Sequence, residues 1–277
     1  MRRTCVRLAR KRLLVHSRAM QTSHMLVAVA ATLAVAATTA DAAVTGGKTA
    51  NASVHCFETM AKNPKAAIDE AHSLYQAGDT VTARRCLGDA LVASGDADRG
   101  ARILDDLARE LSKASDVSPQ TQGTVWGEAG RAWLGADDLD RAKAAFDAAI
   151  ARLPGNLQLR IDRAVALGGS RHYWEAIDDL TAAIDGGVRT AEVYLLRATA
   201  WRELGTTDLA RDDIERAAKI APTNAGVLLE RGRIRKLSKD TAGAEKDFLA
   251  VLKLAPGSGA SLAARHELQD LAARKPR

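Results

Sequence analysis

An alanine returns every 34 residues along this chain, at Ala142, Ala176, Ala210 and Ala244. A whole frame repeats around it. Four residues on stand Phe146, Leu180, Ile214 and Phe248; seven on, Ala149, Ala183, Ala217 and Val251; twelve on, Pro154, Val188, Pro222 and Pro256. Self-similarity at a fixed period of about 20–50 residues marks an array of one supersecondary unit. No active site needs four copies of itself, so the period points to a binding scaffold and away from an enzyme. From Pro64 onward Ala, Leu, Arg, Asp and Glu dominate, Pro and Gly fall at breaks, and no β-type alternation is visible. Three Phe, three Tyr and four Trp are too few for an aromatic-filled core. They suit a stack of close-packed, alanine-rich helices.

The breaks at Gly78-Asp79, Gly95-Asp96, Ala136-Asp137, Gly205-Thr206 and Lys239-Asp240 each separate two amphipathic stretches. Short connections between antiparallel helices are the rule in such arrays. Units begin near Gly123, Leu157, Ala191 and Ala225, so residues 119–258 hold four in-phase copies. Residues 63–118 form a divergent helical region. Within it 64–97 fits the frame loosely, through Ala71, Gly78, Ala83, Leu87 and Ala90, and 97–118 holds an added helix that breaks the phase. Residues 259–277 read as a capping helix, the terminal element that an open stack requires. Residues 43–62, rich in Thr, Gly and Ala, read as a flexible linker.

The net charge of +6 and the pI near 9.4 come from the first 42 residues. Arg2, Arg3, Arg7, Arg10, Lys11, Arg12 and Arg18 stand there against Asp41 alone, which leaves residues 43–277 neutral. A neutral body has no broad electrostatic footprint for nucleic acid. The leader reads as an export signal: a basic stretch, an apolar run from Met25 to Ala37, then Ala40-Asp41-Ala42 as a small-x-small cleavage site. The run is short against the ~20 residues of a permanent span. An uncleaved anchor is the alternative, and the membrane would then be met only through this segment. Met20 is an alternative start. The expected location is the periplasm or the exterior, in an envelope of bacterial type. Cys56 and Cys86 remain in the mature chain, where an oxidising compartment invites a disulfide. Two unpaired thiols, one packed as a small hydrophobe, are the alternative.

The four units resemble tetratricopeptide repeats. That family places a bulky aromatic at position 4 of the repeat, Gly or Ala at 8, an aromatic or Leu at 11, Ala at 20, a large apolar residue at 24, Ala at 27 and Pro at 32. Here position 4 is Trp126, Arg160, Tyr194 and Leu228, and position 8 is Gly130, Ala164, Ala198 and Gly232. Position 11 is Trp133, Leu167, Trp201 and Arg235, the last a departure. The resemblance implies an all-α, right-handed superhelical solenoid of antiparallel helix pairs. It also implies a concave groove that takes an extended peptide or a partner helix. Groove positions 5, 9 and 12 place Leu134, Ile161, Val165, Leu195, Thr199 and Leu229 along an apolar ridge, flanked by Arg131, Arg202, Arg233 and Lys236. Such a groove would favour a partner with apolar anchors and some acidic character. Ordinary solvent-facing side chains are the plainer reading of the same positions. The lysines with which some members clamp a C-terminal carboxylate are replaced by Ile and Leu.

Position 7 carries Arg163, Arg197 and Arg231, and position 23 carries Asp179, Asp213 and Asp247. Because this pairing recurs with the fold, it reads as scaffold. Other chemistry is thin. Ala42 to Thr49 fits a loose phosphate-loop pattern but lacks the strand–loop–helix setting that such a loop needs. His55, His72, His172 and His266 form no HExxH and no pair at ligand spacing. The expectation is therefore a protein- or peptide-binding scaffold with no cofactor, no metal and no catalysis. An accessory subunit of an envelope enzyme or export machine is the alternative.

Overall fold

The structure is a computed structural model that describes residues 47–273, with side chains from residue 55 onward. The expected export signal, residues 1–42, lies outside the described residues. Thirteen α-helices and no strand occur among the residues described. In chain order they are α1 (Gly47–Lys62), α2 (Pro64–Gln76), α3 (Thr80–Ala93), α4 (Ala97–Leu111), α5 (Pro119–Gly135), α6 (Leu139–Arg152), α7 (Leu157–Gly169), α8 (Tyr173–Asp185), α9 (Ala191–Glu203), α10 (Thr207–Ile220), α11 (Ala225–Leu237), α12 (Thr241–Leu254) and α13 (Gly259–Ala273). They divide into two compact units, with the boundary between Ser170 and Arg171. In each unit consecutive helices pack against one another, and alternate helices also touch: α1, α3, α5 and α7 in the first unit, α9, α11 and α13 in the second. Each unit is thus a stack of helix pairs with one row of first helices along one side.

Local chemistry places the turns. The tight connections use one residue of left-handed backbone followed by the next helix's N-cap: Gly78, Gly95, Asp137, Arg171, Gly205 and Lys239 have φ between 58° and 97°. Asp79, Asp138 and Asp240 then accept a hydrogen bond from the N–H three residues on, satisfying a donor that the helix itself leaves orphaned. The looser connections are capped by Asn156, Thr190 and Asn224.

Packing inside a helix pair is a matter of volume. A Cβ added to Gly130 would stand 2.5 Å from the Phe146 ring, and one added to Gly232 would stand 2.4 Å from the Phe248 ring. Both rings are fully buried. Where position 24 is the smaller Leu180 or Ile214, position 8 is Ala164 or Ala198 instead. The two positions share one fixed volume, as expected of an interior packed to crystal density.

Two expectations for the N-terminal region change. Residues 47–62, read as a linker, are helix α1, which packs on α2 and α3. Cys56 and Cys86 are joined, with Cα atoms 6.0 Å apart. The disulfide sits in a small alanine-lined core of Ala67, Ala71 and Ala90, edged by Met60, Ile68 and Leu87. The covalent link joins α1 to α3 within that core, and Thr/Ala-rich composition alone does not reveal it. The second change concerns α3. It pairs with α2 as the 64–97 frame expects, and it pairs equally with α4. On that other side, a Cβ on Gly88 would meet Leu104 at 2.5 Å, and one on Gly100 would meet the Gly88 carbonyl at 2.4 Å. Helix α4 therefore closes a second hairpin on a shared α3. The connection 112–118 that follows lengthens this unit. It is fixed where Ser112 Oγ receives Trp126 Nε1 at 2.8 Å and Arg152 Nη2 at 2.9 Å.

Gly130→Ala is expected to lower stability by about 1–3 kcal/mol through overpacking. Adding Phe146→Leu should recover part of that loss, measured as a double-mutant cycle in urea. A cycle with no coupling would show that the two positions do not share a volume.

Candidate partner-binding face

The row of first helices carries the residues expected to line a groove, and the two units present them differently. In the first unit Leu134, Ile161 and Val165 are buried. Leu159 lies where a side chain on Gly127 would be and fills the contact between α7 and α5. In the second unit Leu229 is buried too, while Leu195 and Thr199 are half-buried and reach the surface. A Leu195 methyl stands 3.7 Å from where a Cβ on Gly226 would be, so the absence of a side chain at Gly226 leaves that face of Leu195 open. The continuous ridge expected from the sequence is in fact one accessible apolar side chain, Leu195, beside positions used for packing.

The flanking cations are all engaged within their own unit. Arg131 Nη1 meets Asp162 Oδ2 at 3.1 Å. Arg202 donates to Glu230 and lies 2.8 Å from Glu203. Arg233 Nε donates to Glu267 at 3.1 Å and lies 3.5 Å from Glu230. Lys236 donates to Glu267, and to Asp270 at 3.0 Å. Burial works against the charge on Arg202, but Glu230 and Glu203 outweigh it and hold the guanidinium above its ordinary range. The same balance acts on Arg131 through Asp162 and Glu128. Burial opposes ionisation of Glu267, yet Lys236 and Arg233 bring its carboxyl below the usual carboxylate range. Sequence reasoning missed these acids. The signal was present in Glu128, Asp162 and Glu230, which share position 6 of the frame and stand opposite cations of the preceding first helix.

The position-7 arginines form a second system. Arg197 grips Asp213 in a two-pronged contact at 2.7 and 2.9 Å, and Arg231 grips Asp247 at 2.9 and 2.7 Å. Hydrogen bonding to Asp213 raises the Arg197 guanidinium further above its ordinary value. Each arginine also reaches back to position 25 of the preceding unit. Arg163 donates to Asp147 at 2.7 Å, Arg197 to Thr181 at 3.0 Å, and Arg231 lies 3.8 Å from Glu215. The expected pair within one repeat is therefore also a staple between repeats. A further feature escaped the sequence reading: Trp174, more than half exposed, stacks edge-on against Trp201 with ring centroids 5.6 Å apart.

Among the described residues no group of three or more His, Cys, Asp or Glu is placed to hold a metal ion, and no helix is long and apolar enough to cross a membrane. His55 pairs with Glu70 at 2.9 Å. Gly47, Lys48 and Thr49 of the phosphate-loop pattern lie in α1, and the pattern's residues before Gly47 lie outside the described residues.

No family model matches the chain, and no curated protein matches it. Solved structures do. The chain is similar to MamA (residue 41 to the end) from Desulfovibrio magneticus RS-1, at 18% identity and a TM-score of 0.55, over 65% of this chain and 98% of that one. It is similar to TTC0263, a thermophilic TPR protein of Thermus thermophilus, at 16% identity and a TM-score of 0.53, over 70% and 100%. It is also similar to YrrB, described as a TPR protein with an unusual peptide-binding site, at 15% identity and a TM-score of 0.53, over 72% and 96%. The fold is an all-α solenoid of the tetratricopeptide-repeat type.

Asp213→Ala leaves Arg197 and Arg216 without their buried acceptor. It is expected to lower stability by about 2–3 kcal/mol, measured by urea unfolding. A loss below about 0.5 kcal/mol would place the ladder outside the scaffold's main supports.

Proposed function

We propose that this chain is an exported interaction scaffold that holds a protein or peptide partner on its row of first helices. The observation that carries the reading is Leu195. It is an apolar side chain left accessible beside Gly226 and Thr199, at a position of the 34-residue frame whose other apolar occupants, Ile161 and Leu229, are buried. A partly exposed apolar anchor ringed by fixed charges has the make-up of a binding hot spot. The ring is balanced: Arg202, Arg233 and Lys236 are matched by Glu230, Glu267 and Asp270. The partner segment is accordingly an extended or helical stretch with an apolar anchor and both signs of charge, where the sequence alone suggested an acidic one. Recognition is by equilibrium binding to a preformed surface, without catalysis.

Export rests on the apolar run and the Ala40-Asp41-Ala42 site. The joined Cys56 and Cys86 support it, because such a link persists in an oxidising compartment. Edman sequencing of the extracytoplasmic protein should begin at Ala43, and recovery of the whole chain as soluble cytoplasmic protein would overturn export.

For binding, partners are recovered by cross-linking from envelope extract and affinity is then measured by calorimetry. Leu195→Asp should weaken binding more than ten-fold with unchanged melting. Normal binding by that variant, together with loss on changing a second-helix residue such as Leu249, would move the site off this face.

A further inference from the structure

We propose that the outward faces of α10 and α12 form a docking surface for an anionic lipid membrane. Exposure, charge and placement within the second unit carry the inference. Among the described residues eight large apolar side chains are exposed, and seven of them lie past Ser170. Three gather on two second helices: Ile220 of α10, 53% exposed, and Leu249 and Leu254 of α12, at 52% and 47%. The 34-residue frame puts Ile220 and Leu254 at one position, with Lys219 and Lys253 just before them. The two earlier repeats have Ala151-Arg152 and Asp185-Gly186 there, so the pairing of lysine with a large apolar residue is confined to the last two. The helices lie side by side. Arg235 of α11 bridges them, reaching Glu215 of α10 at 3.3 Å and Asp247 of α12 at 2.9 Å. On each helix the opposite stripe is buried: Asp213, Ile214 and Ala217 on α10, Asp247, Phe248 and Val251 on α12. Helical spacing therefore turns Lys219, Lys246, Leu249 and Lys253 outward.

The charge on this surface is one-sided. Lys219, Lys246 and Lys253 are exposed, and among the described residues none of them has an ion pair or a hydrogen bond. Arg216 shares the buried Asp213 with Arg197, and Arg211 pairs with Asp208. Of the remaining acids on the two helices, Glu215 is held by Arg231 and Arg235, and Asp247 is buried against the same two arginines. Glu245 has an interaction of its own. Asp212 stands two turns before Lys219, about 10 Å along the axis. Free cations interleaved with exposed apolar side chains match the two layers of an anionic membrane surface. The lysine stems let their ammonium groups reach the headgroups while Ile220, Leu249 and Leu254 enter the acyl boundary. Half-exposed side chains standing out from two helices suit a plane better than a peptide segment, which needs a cleft. This contact is separate from the one expected of an uncleaved leader. It does not rest on the Leu195 reading, which uses the first helices.

The test is co-sedimentation with vesicles of phosphatidylcholine, with and without phosphatidylglycerol. The leader's apolar run would itself enter lipid, so the form beginning at Ala43 is used, which keeps every described helix. It should bind the anionic vesicles, bind neutral ones at least ten-fold more weakly, and be released by high salt. Each lysine near an anionic surface contributes about five-fold in partitioning. Lys219→Gln with Lys253→Gln should therefore weaken it about twenty-fold, and Ile220→Ser with Leu254→Ser about ten-fold, all with unchanged melting. On the full chain, anionic vesicles should shield Lys219, Lys246 and Lys253 from amine acylation, read by mass spectrometry, and leave Lys239 reactive. Equal binding to both vesicle types, parent-like binding by either double variant, or unshielded lysines on the full chain would each overturn the proposal. Shielding of the same lysines by an acidic protein and not by vesicles would overturn it too, and would assign the face to a protein partner.

Discussion

The second stack depends on how its position-7 arginines are held. A guanidinium offers five donors in a rigid fork, and here that fork is divided between two acceptors. Two donors close on Asp213 or Asp247, both almost fully buried, and the remaining reach goes to the second helix of the unit before. An ion pair confined to one hairpin would fix only the angle between its two helices. One shared across the boundary also fixes the rotation of each hairpin on its neighbour. Buried ion pairs of this kind are poor sources of net stability, but they are strong determinants of geometry, since a misplaced partner leaves a buried charge uncompensated.

Steric matching completes what the arginines begin. Position 8 and position 24 divide a constant volume, with Gly beside Phe146 and Phe248 and Ala in the frames of Leu180 and Ile214. Apolar packing sets the distance between helices and the charged staples set their orientation. The row of first helices follows from both. Most of its apolar residues are used to hold the row together, and few are left to face outward.

The repeat, its helical content and the small-residue frame were legible because periodicity survives in the sequence whatever the partner or pathway. The ladder was legible for the same reason, as far as Arg197 with Asp213 and Arg231 with Asp247. What remained hidden was not periodic or depended on tertiary burial. The helix at 47–62 has a Thr- and Ala-rich composition that reads as linker, and its docking on α2 and α3, with the Cys56–Cys86 link, is a tertiary fact outside the repeat. The exposure of Leu195 against the burial of Ile161 and Leu229, all at position 5, is decided by neighbours such as Gly226 that no frame position identifies. The charge balance of the face was overlooked because the cations were counted by position and the acids at position 6 were not.

Helix α3 serves two hairpins at once, presenting Cys86 and Ala90 towards α2 and Gly88 towards Leu104 of α4. This sets a limit on how such a chain can change length. Past the connection at 112–118 the sequence repeats every 34 residues, so gene duplication or deletion of one such segment keeps the frame positions in register at the join. Before that connection no cut is neutral, because removing either hairpin takes half of the other with it. The N-terminal part is inherited as one block, and growth or shrinkage of the array is confined to the modules that follow.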